Sequence, residues 1–118
     1  MIYTLFMFGC NDDDSAAIEV REARMLEISN NVEAITANKS CNGGDDCATI
    51  AWGSKPCGGP WGYLIYAPSN VDVPRLEALA AEYAQLQSEV NVLRKLVSDC
   101  ALIPVPELEC SDNICTAK

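Results

Sequence analysis

The sequence predicts a small α+β domain: two helices and a small antiparallel sheet, fastened by disulfides. Three observations predict it. The 118 residues carry seven cysteines, a dense count for a short chain and a sign of a crosslinked fold if the compartment is oxidising. An apolar stripe at alternating three- and four-residue spacing runs through residues 73–97, which is helical periodicity. Two short alternating segments flank a loop rich in glycine and proline, the pattern of paired strands.

A chain of this length has room for one core. Its 17 acidic residues against 8 basic ones give a formal charge of -9, which makes nucleic acid or an anionic membrane surface an unfavourable electrostatic partner. No apolar run approaches the roughly 20 residues needed to span a bilayer. Any membrane attachment is therefore expected to be covalent or through a partner.

The elements follow in chain order. Over residues 16–37, Ile18, Met25, Ile28, Val32 and Ile35 recur at helical spacing with Glu19, Glu22, Glu27 and Glu33 between them. That pattern describes an amphipathic helix. Asp12 to Asp14 and Ser15 are expected just ahead of it, where carboxylates and a hydroxyl favour a helix N-terminus, and Asn30-Asn31 weakens its middle. Cys47 to Trp52 reads as a strand with Ala48, Ile50 and Trp52 on one face. Trp61 to Tyr66 reads as its partner, with Trp61, Tyr63 and Ile65 on one side and Leu64 and Tyr66 on the other.

A long helix is predicted from about Val73 to Val97. Asp72 is its N-cap, Pro74 sits in the first turn where a missing N–H costs nothing, and Arg94 and Lys95 complement the C-terminal end of the dipole. Its stripe is Leu76, Leu79, Tyr83, Leu86, Val90, Leu93 and Val97. Packing of this stripe on the first helix and the sheet, within a monomer, is the favoured use, and a helix-mediated coiled-coil dimer is the alternative. Beyond it, Pro104 and Pro106 keep the tail extended. Ser111-Asp112-Asn113 then makes a turn and Ile114-Cys115-Thr116 returns as a strand, giving a terminal hairpin.

At the N-terminus an apolar run, Ile2 to Phe8, precedes Gly9-Cys10 and then Asn11-Asp12-Asp13-Asp14-Ser15. This resembles a bacterial lipoprotein signal, in which a small residue precedes a cysteine that is diacylated on sulfur. The resemblance implies residues 1–9 as a shortened signal peptide, Cys10 as the lipidation site, residues 10–15 as an acidic tether and residues 16–118 as one disulfide-rich domain. It also implies a bacterial cell envelope location, at the outer membrane or cell surface, with acyl chains on Cys10 joining the chain to the membrane. An ordinary cleaved signal, with Cys10 lost or paired, is the rival reading.

With Cys10 assigned to lipid, Cys41, Cys47, Cys57, Cys100, Cys110 and Cys115 remain, and six cysteines allow fifteen pairings. Cys57 with Cys100 is the first expectation, because it ties the Gly/Pro loop to the end of the long helix. Cys41 with Cys110 and Cys47 with Cys115 is one way to join the remaining four. Zinc is the competing use of cysteine, but the close pairs are separated by five and four residues and the chain has no histidine; neither a metal site nor a cofactor is expected. No C-x-x-C dithiol is present for redox catalysis. Asn42-Gly43-Gly44-Asp45-Asp46 lacks the ligand alternation of a calcium loop.

Enzyme chemistry is not expected either. Ser54 beside Lys55 is the nearest approach to a nucleophile and base, and adjacent strand residues point to opposite faces. The stretch Gly53-Ser54-Lys55-Pro56-Cys57-Gly58-Gly59-Pro60, with the surrounding cysteines, resembles a family of small cysteine-containing bacterial lipoproteins and secreted proteins without an assigned function, over about Ile28 to Thr116. That resemblance implies compartment and domain extent only. The function class left is a binding or structural module with an unidentified partner, for which Trp52, Lys55, Trp61 and Tyr63 are the candidate contact residues. The alternative is a protease inhibitor presenting residues 54–59, with Lys55 as the specificity residue, although Pro56 directly after it suits trypsin-like enzymes poorly. An exposed patch at Trp52, Trp61 and Tyr63 marks the binding module and a protruding loop at Ser54 to Gly59 the inhibitor, and solvent exposure of Trp61 is the first discriminator.

Overall fold

The computed structural model describes residues 9–118, with side chains from Asp14 onward. All but Gly9 of the expected signal peptide therefore lies outside the described residues, and so does the side chain of Cys10, the expected lipidation site. Helix α1 (Gly9–Ile35) leads through a short 3-10 turn (Gly44–Asp46) into strands β1 (Ala48–Trp52) and β2 (Gly62–Tyr66). A second 3-10 turn (Pro68–Asn70) precedes helix α2 (Val73–Leu93), and strands β3 (Leu108–Ser111) and β4 (Ile114–Ala117) close the chain. This is the α+β class expected, with one difference in the sheet. The four strands form two separate antiparallel pairs, β1 with β2 and β3 with β4. The free edge of β4 is occupied by the segment after α1: Cys115 N–H donates to Lys39 O at 2.9 Å and Cys41 N–H to Asn113 O at 2.9 Å. The two hairpins consequently meet through side chains and not through a shared hydrogen-bond ladder.

Helix α1 begins earlier than its apolar pattern requires and takes in Asp12 to Asp14, which the sequence places ahead of the helix. Asn30-Asn31 does not interrupt it. Ile28 and Val32 are buried on its inner face, while Val20 and Leu26 lie on its solvent side. Helix α2 starts as predicted: the Asp72 carboxylate accepts from Arg75 N–H, with Pro74 in the first turn.

Its end differs from prediction. The last helical residue is Leu93, four positions short of Val97. Lys95 takes a left-handed φ of 56°, Lys95 N–H donates to Val92 O at 3.1 Å, and Leu96 N–H donates to Asn91 O at 3.0 Å. These two bonds are a Schellman stop, here with lysine where glycine is usual. Periodicity alone continues to Val97, but the chain turns there so that Asp99 and Cys100 can reach the Gly/Pro loop.

The antiparallel helices enclose the main core with one face of β1–β2. Ile28, Val32, Leu76 and Tyr66 are buried, and Ala48, Ile50, Trp52, Leu64, Leu79, Tyr83 and Leu86 pack around them. The predicted α2 stripe is thus covered within one chain as far as Val90. Ion pairs flank the seam: Arg21 to Glu89 at 2.7 Å, Arg24 to Glu82 at 2.8 Å and to Glu27, and Arg94 to Glu22 at 2.9 Å. On the other face of β2, Ile65 and Ala67 pack with Cys41, Cys47, Cys110 and Cys115 in a second, smaller core.

Three disulfides are formed: Cys41–Cys110, Cys47–Cys115 and Cys57–Cys100, with Cα separations of 5.9, 5.6 and 5.4 Å. The pairing is the one set out from sequence. The β3–β4 turn is Asp112-Asn113, both at positive φ (54° and 63°), the two-residue type I′ arrangement for which Asp and Asn are among the few tolerant side chains.

Candidate functional site

The loop joining β1 to β2 is rigid for identifiable reasons. Gly53 has φ 82°, and a Cβ there would lie 2.6 Å from Gln87 Oε1, so only glycine fits. Gln87 and Asn91, one turn apart on α2, grip the backbone of the next residue from both sides: Ser54 N–H donates to Gln87 Oε1 at 2.6 Å, and Asn91 Nδ2 donates to Ser54 O at 2.9 Å. Gly58 N–H donates to Lys55 O at 2.9 Å, closing a turn with Pro56 at its second position, and Lys55 N–H donates to Gly59 O at 2.8 Å. Pro56 supplies the fixed φ that such a turn uses.

Lys55 is the centre of the corner. The residue is only 4% exposed. Its ammonium donates to Asp99 Oδ1 at 2.7 Å and to Ala101 O at 3.0 Å, and it lies 5.3 Å from the centroid of the Trp61 ring. A buried ammonium needs such partners, because leaving it bare would cost several kcal/mol by ordinary desolvation, roughly. The Lys55 ammonium, and after it the Ala101 N–H, hold the Asp99 carboxyl below its usual range. Together with the Cys57–Cys100 disulfide beside it, this contact pins the segment after α2 against the loop.

The four candidate contact residues therefore separate. Trp52 stacks on Tyr83 with ring centroids 4.2 Å apart and belongs to the main core. Tyr63 is half-buried in β2. Lys55 points inward, which corrects the expectation that it is displayed: a specificity residue of an inhibitor has to enter the protease, and this one is committed to Asp99. Trp61 alone remains substantially open, at 48% exposure. No joint Trp/Tyr patch is formed among the described residues.

A different surface emerges beside the corner. Val92 is 74% exposed and Val97 is 91% exposed, with Leu96 between them. Pro56 and Leu96 line two adjoining depressions, one including Lys55, Asn91 and Val92 and the other Cys57, Val97 and Ser98. Leu102, 89% exposed, follows the Ala101 carbonyl that Lys55 holds. This apolar strip was hidden by periodicity: Val97 reads as a core position only if α2 continues, and the left-handed Lys95 turns it outward. Gln87, Asn91 and Asp99 were likewise missed, since each acts through a contact distant in sequence.

Comparison with protein-family models, with curated proteins and with solved structures finds no match. The chemistry of the corner and of the strip is what bears on function.

Proposed function

We propose that this chain is the folded part of a lipid-anchored bacterial envelope protein, tethered through Cys10, and that it serves as a binding module whose contact surface is the apolar strip Val92, Leu96 and Val97. The compartment reading is supported by three disulfides, which persist in oxidising surroundings, and by the resemblance of Gly9-Cys10 and the following aspartates to a lipoprotein signal. The observation that carries the binding reading is the display of three aliphatic side chains, Val92, Leu96 and Val97, along two depressions that share Pro56 and Leu96. A flexible tail would shed such residues into solvent without consequence, whereas here the Schellman stop, the Lys55–Asp99 contact and the Cys57–Cys100 bond hold their backbone in place. Contiguous apolar surface on a fixed scaffold is what a protein contact site requires.

Two measurements test the two halves of this reading. Metabolic labelling with a fatty acid is expected to mark the wild-type chain and not Cys10→Ser; equal labelling of both ends the anchoring claim. Photo-crosslinking from position 97 in bacterial cells expressing the full chain is expected to give a discrete adduct that a probe at Val20, equally apolar but on the outer face of α1, does not give. Identical products from both positions, or none from position 97, end the binding claim.

A further inference from the structure

The four cysteines of the smaller core do more than form two independent crosslinks. Cys110 and Cys115 are direct cross-strand partners in the β3–β4 register, and paired residues of an antiparallel ladder project from the same face. Cys41 and Cys47 approach that face from the segment after α1. The Sγ atoms of Cys41, Cys47 and Cys115 all lie within 4.8 Å of one another, and Cys110 Sγ is bonded to Cys41. Three of the sulfurs thus form one group and the fourth, Cys110 Sγ, adjoins it through Cys41, with Ile65 and Ala67 packed against the four residues.

We propose that this cluster is a redox-gated site for a soft divalent cation of the zinc class: oxidised it is two disulfides, and reduced it is a tetrathiolate that holds one ion. Thiolate-only donors select zinc or cadmium over calcium and magnesium. A tetrahedral zinc tetrathiolate has sulfur atoms about 3.8 Å apart, from a Zn–S distance near 2.3 Å. Cys47 and Cys115 Sγ are bonded and Cys41 Sγ lies within 4.8 Å of both, so reaching that spacing requires both bonded pairs to open and Cys110 Sγ to stay beside Cys41. Sequence spacing argues against zinc because no Cys-x-x-Cys knuckle is present. The fold removes that objection: a two-residue I′ turn brings Cys110 and Cys115 opposite each other despite four intervening residues, and the β-bridge of Ser40 with Ile114 brings up Cys41.

The chemistry balances with a dithiol as reductant. Each disulfide accepts two electrons and two protons while one dithiol is oxidised to its own disulfide, so two equivalents give four thiols. Binding of one divalent ion then releases the thiol protons and leaves four metal–sulfur bonds. Cys57 and Cys100 lie outside the cluster and take no part.

The experiment uses the full chain, reduced anaerobically with a dithiol, freed of it, and titrated with cadmium alone. The expected result is a thiolate-to-cadmium charge-transfer band saturating at one ion per chain. Alkylation mapping should then find Cys41, Cys47, Cys110 and Cys115 protected and Cys57 and Cys100 modified. A Cys57→Ser/Cys100→Ser variant should keep the affinity, and Cys47→Ser/Cys115→Ser should lose at least about a hundredfold of it. No saturable band, equal protection of all six cysteines, or unchanged affinity in Cys47→Ser/Cys115→Ser overturns the proposal.

Discussion

The helical end of this molecule and its hairpin end are held by different forces. Among the described residues the largest wholly buried side chains, Ile28 and Leu76, come from α1 and α2 respectively. There the apolar effect dominates, and the flanking arginine–glutamate pairs add a screened contribution. The hairpin end buries only Cys41, Ala67 and Cys115. Two strands of four residues each, Leu108–Ser111 and Ile114–Ala117, do not hold together alone in water. Two disulfides supply what the small core cannot. The lesson is one of scale: a chain this short builds one good core, and whatever lies outside it is secured covalently.

The largest effect that tests this contrast is removal of a crosslink. Replacing Cys47 and Cys115 together by serine leaves Cys41–Cys110 closing nearly the same stretch of chain, so only the short ring between the two crosslinks opens, and the chain-entropy account puts the loss at about 3 kcal/mol. Hydrogen exchange on this variant should show protection vanishing first in residues 39–47 and 108–117, with α1 and α2 still slow. Simultaneous loss at both ends in a single transition would mean that the molecule is one cooperative unit, and the contrast would fail.

Acid should act on the opposite end. Hydrogen bonds from Arg24 hold Glu82 below its usual carboxylate range, and Glu89 is lowered first by Gln85 and then by Arg21. Depressed carboxylates contribute stability above their unfolded-state values, and that contribution is lost as pH falls through the folded-state values. The helix seam is therefore expected to be unaffected from neutral pH down to about 5 and to loosen below about 4, while the disulfides do not titrate. Far-UV circular dichroism against pH measures this directly, and Glu82→Gln should flatten the acid limb. An acid limb unchanged in Glu82→Gln would show that these surface pairs contribute nothing measurable.

Much of the fold was legible because it is locally encoded. Asp72 and Pro74 announce the start of α2, alternation in β1 and β2 gives the inward faces of Ala48, Ile50, Trp52, Leu64 and Tyr66, and Pro104 with Pro106 keeps the tail extended. The corner was legible as a stiff loop from Gly53 and Pro56, but its working parts were not. Lys55 looks displayed because lysine is seldom buried, and only the chain reversal after α2 brings Asp99 and Ala101 to it. The same reversal converts Val97 from an expected core residue into surface. Both errors trace to Lys95, whose left-handed backbone no periodicity signals.

That residue also offers the smallest and most precise test. Lys95 joins the apolar helix pair to the covalently pinned corner, and it does so at φ 56°, where a side chain bearing Cβ costs about 1–2 kcal/mol. Glycine removes that cost but loses roughly 0.5–1 kcal/mol of backbone entropy on folding. Lys95→Gly should therefore stabilise the protein by no more than about 1 kcal/mol, read as a raised urea midpoint at unchanged slope. Lys95→Ala, which keeps Cβ and deletes the charge, separates backbone from electrostatics: it should give no such gain. If alanine and glycine raise the midpoint equally, the left-handed turn carries no strain and the ammonium is what destabilises the junction. If glycine lowers it, the stiffness of Lys95 itself helps to hold the apolar strip in place, and the corner depends on its helix more than the contrast between the two ends allows.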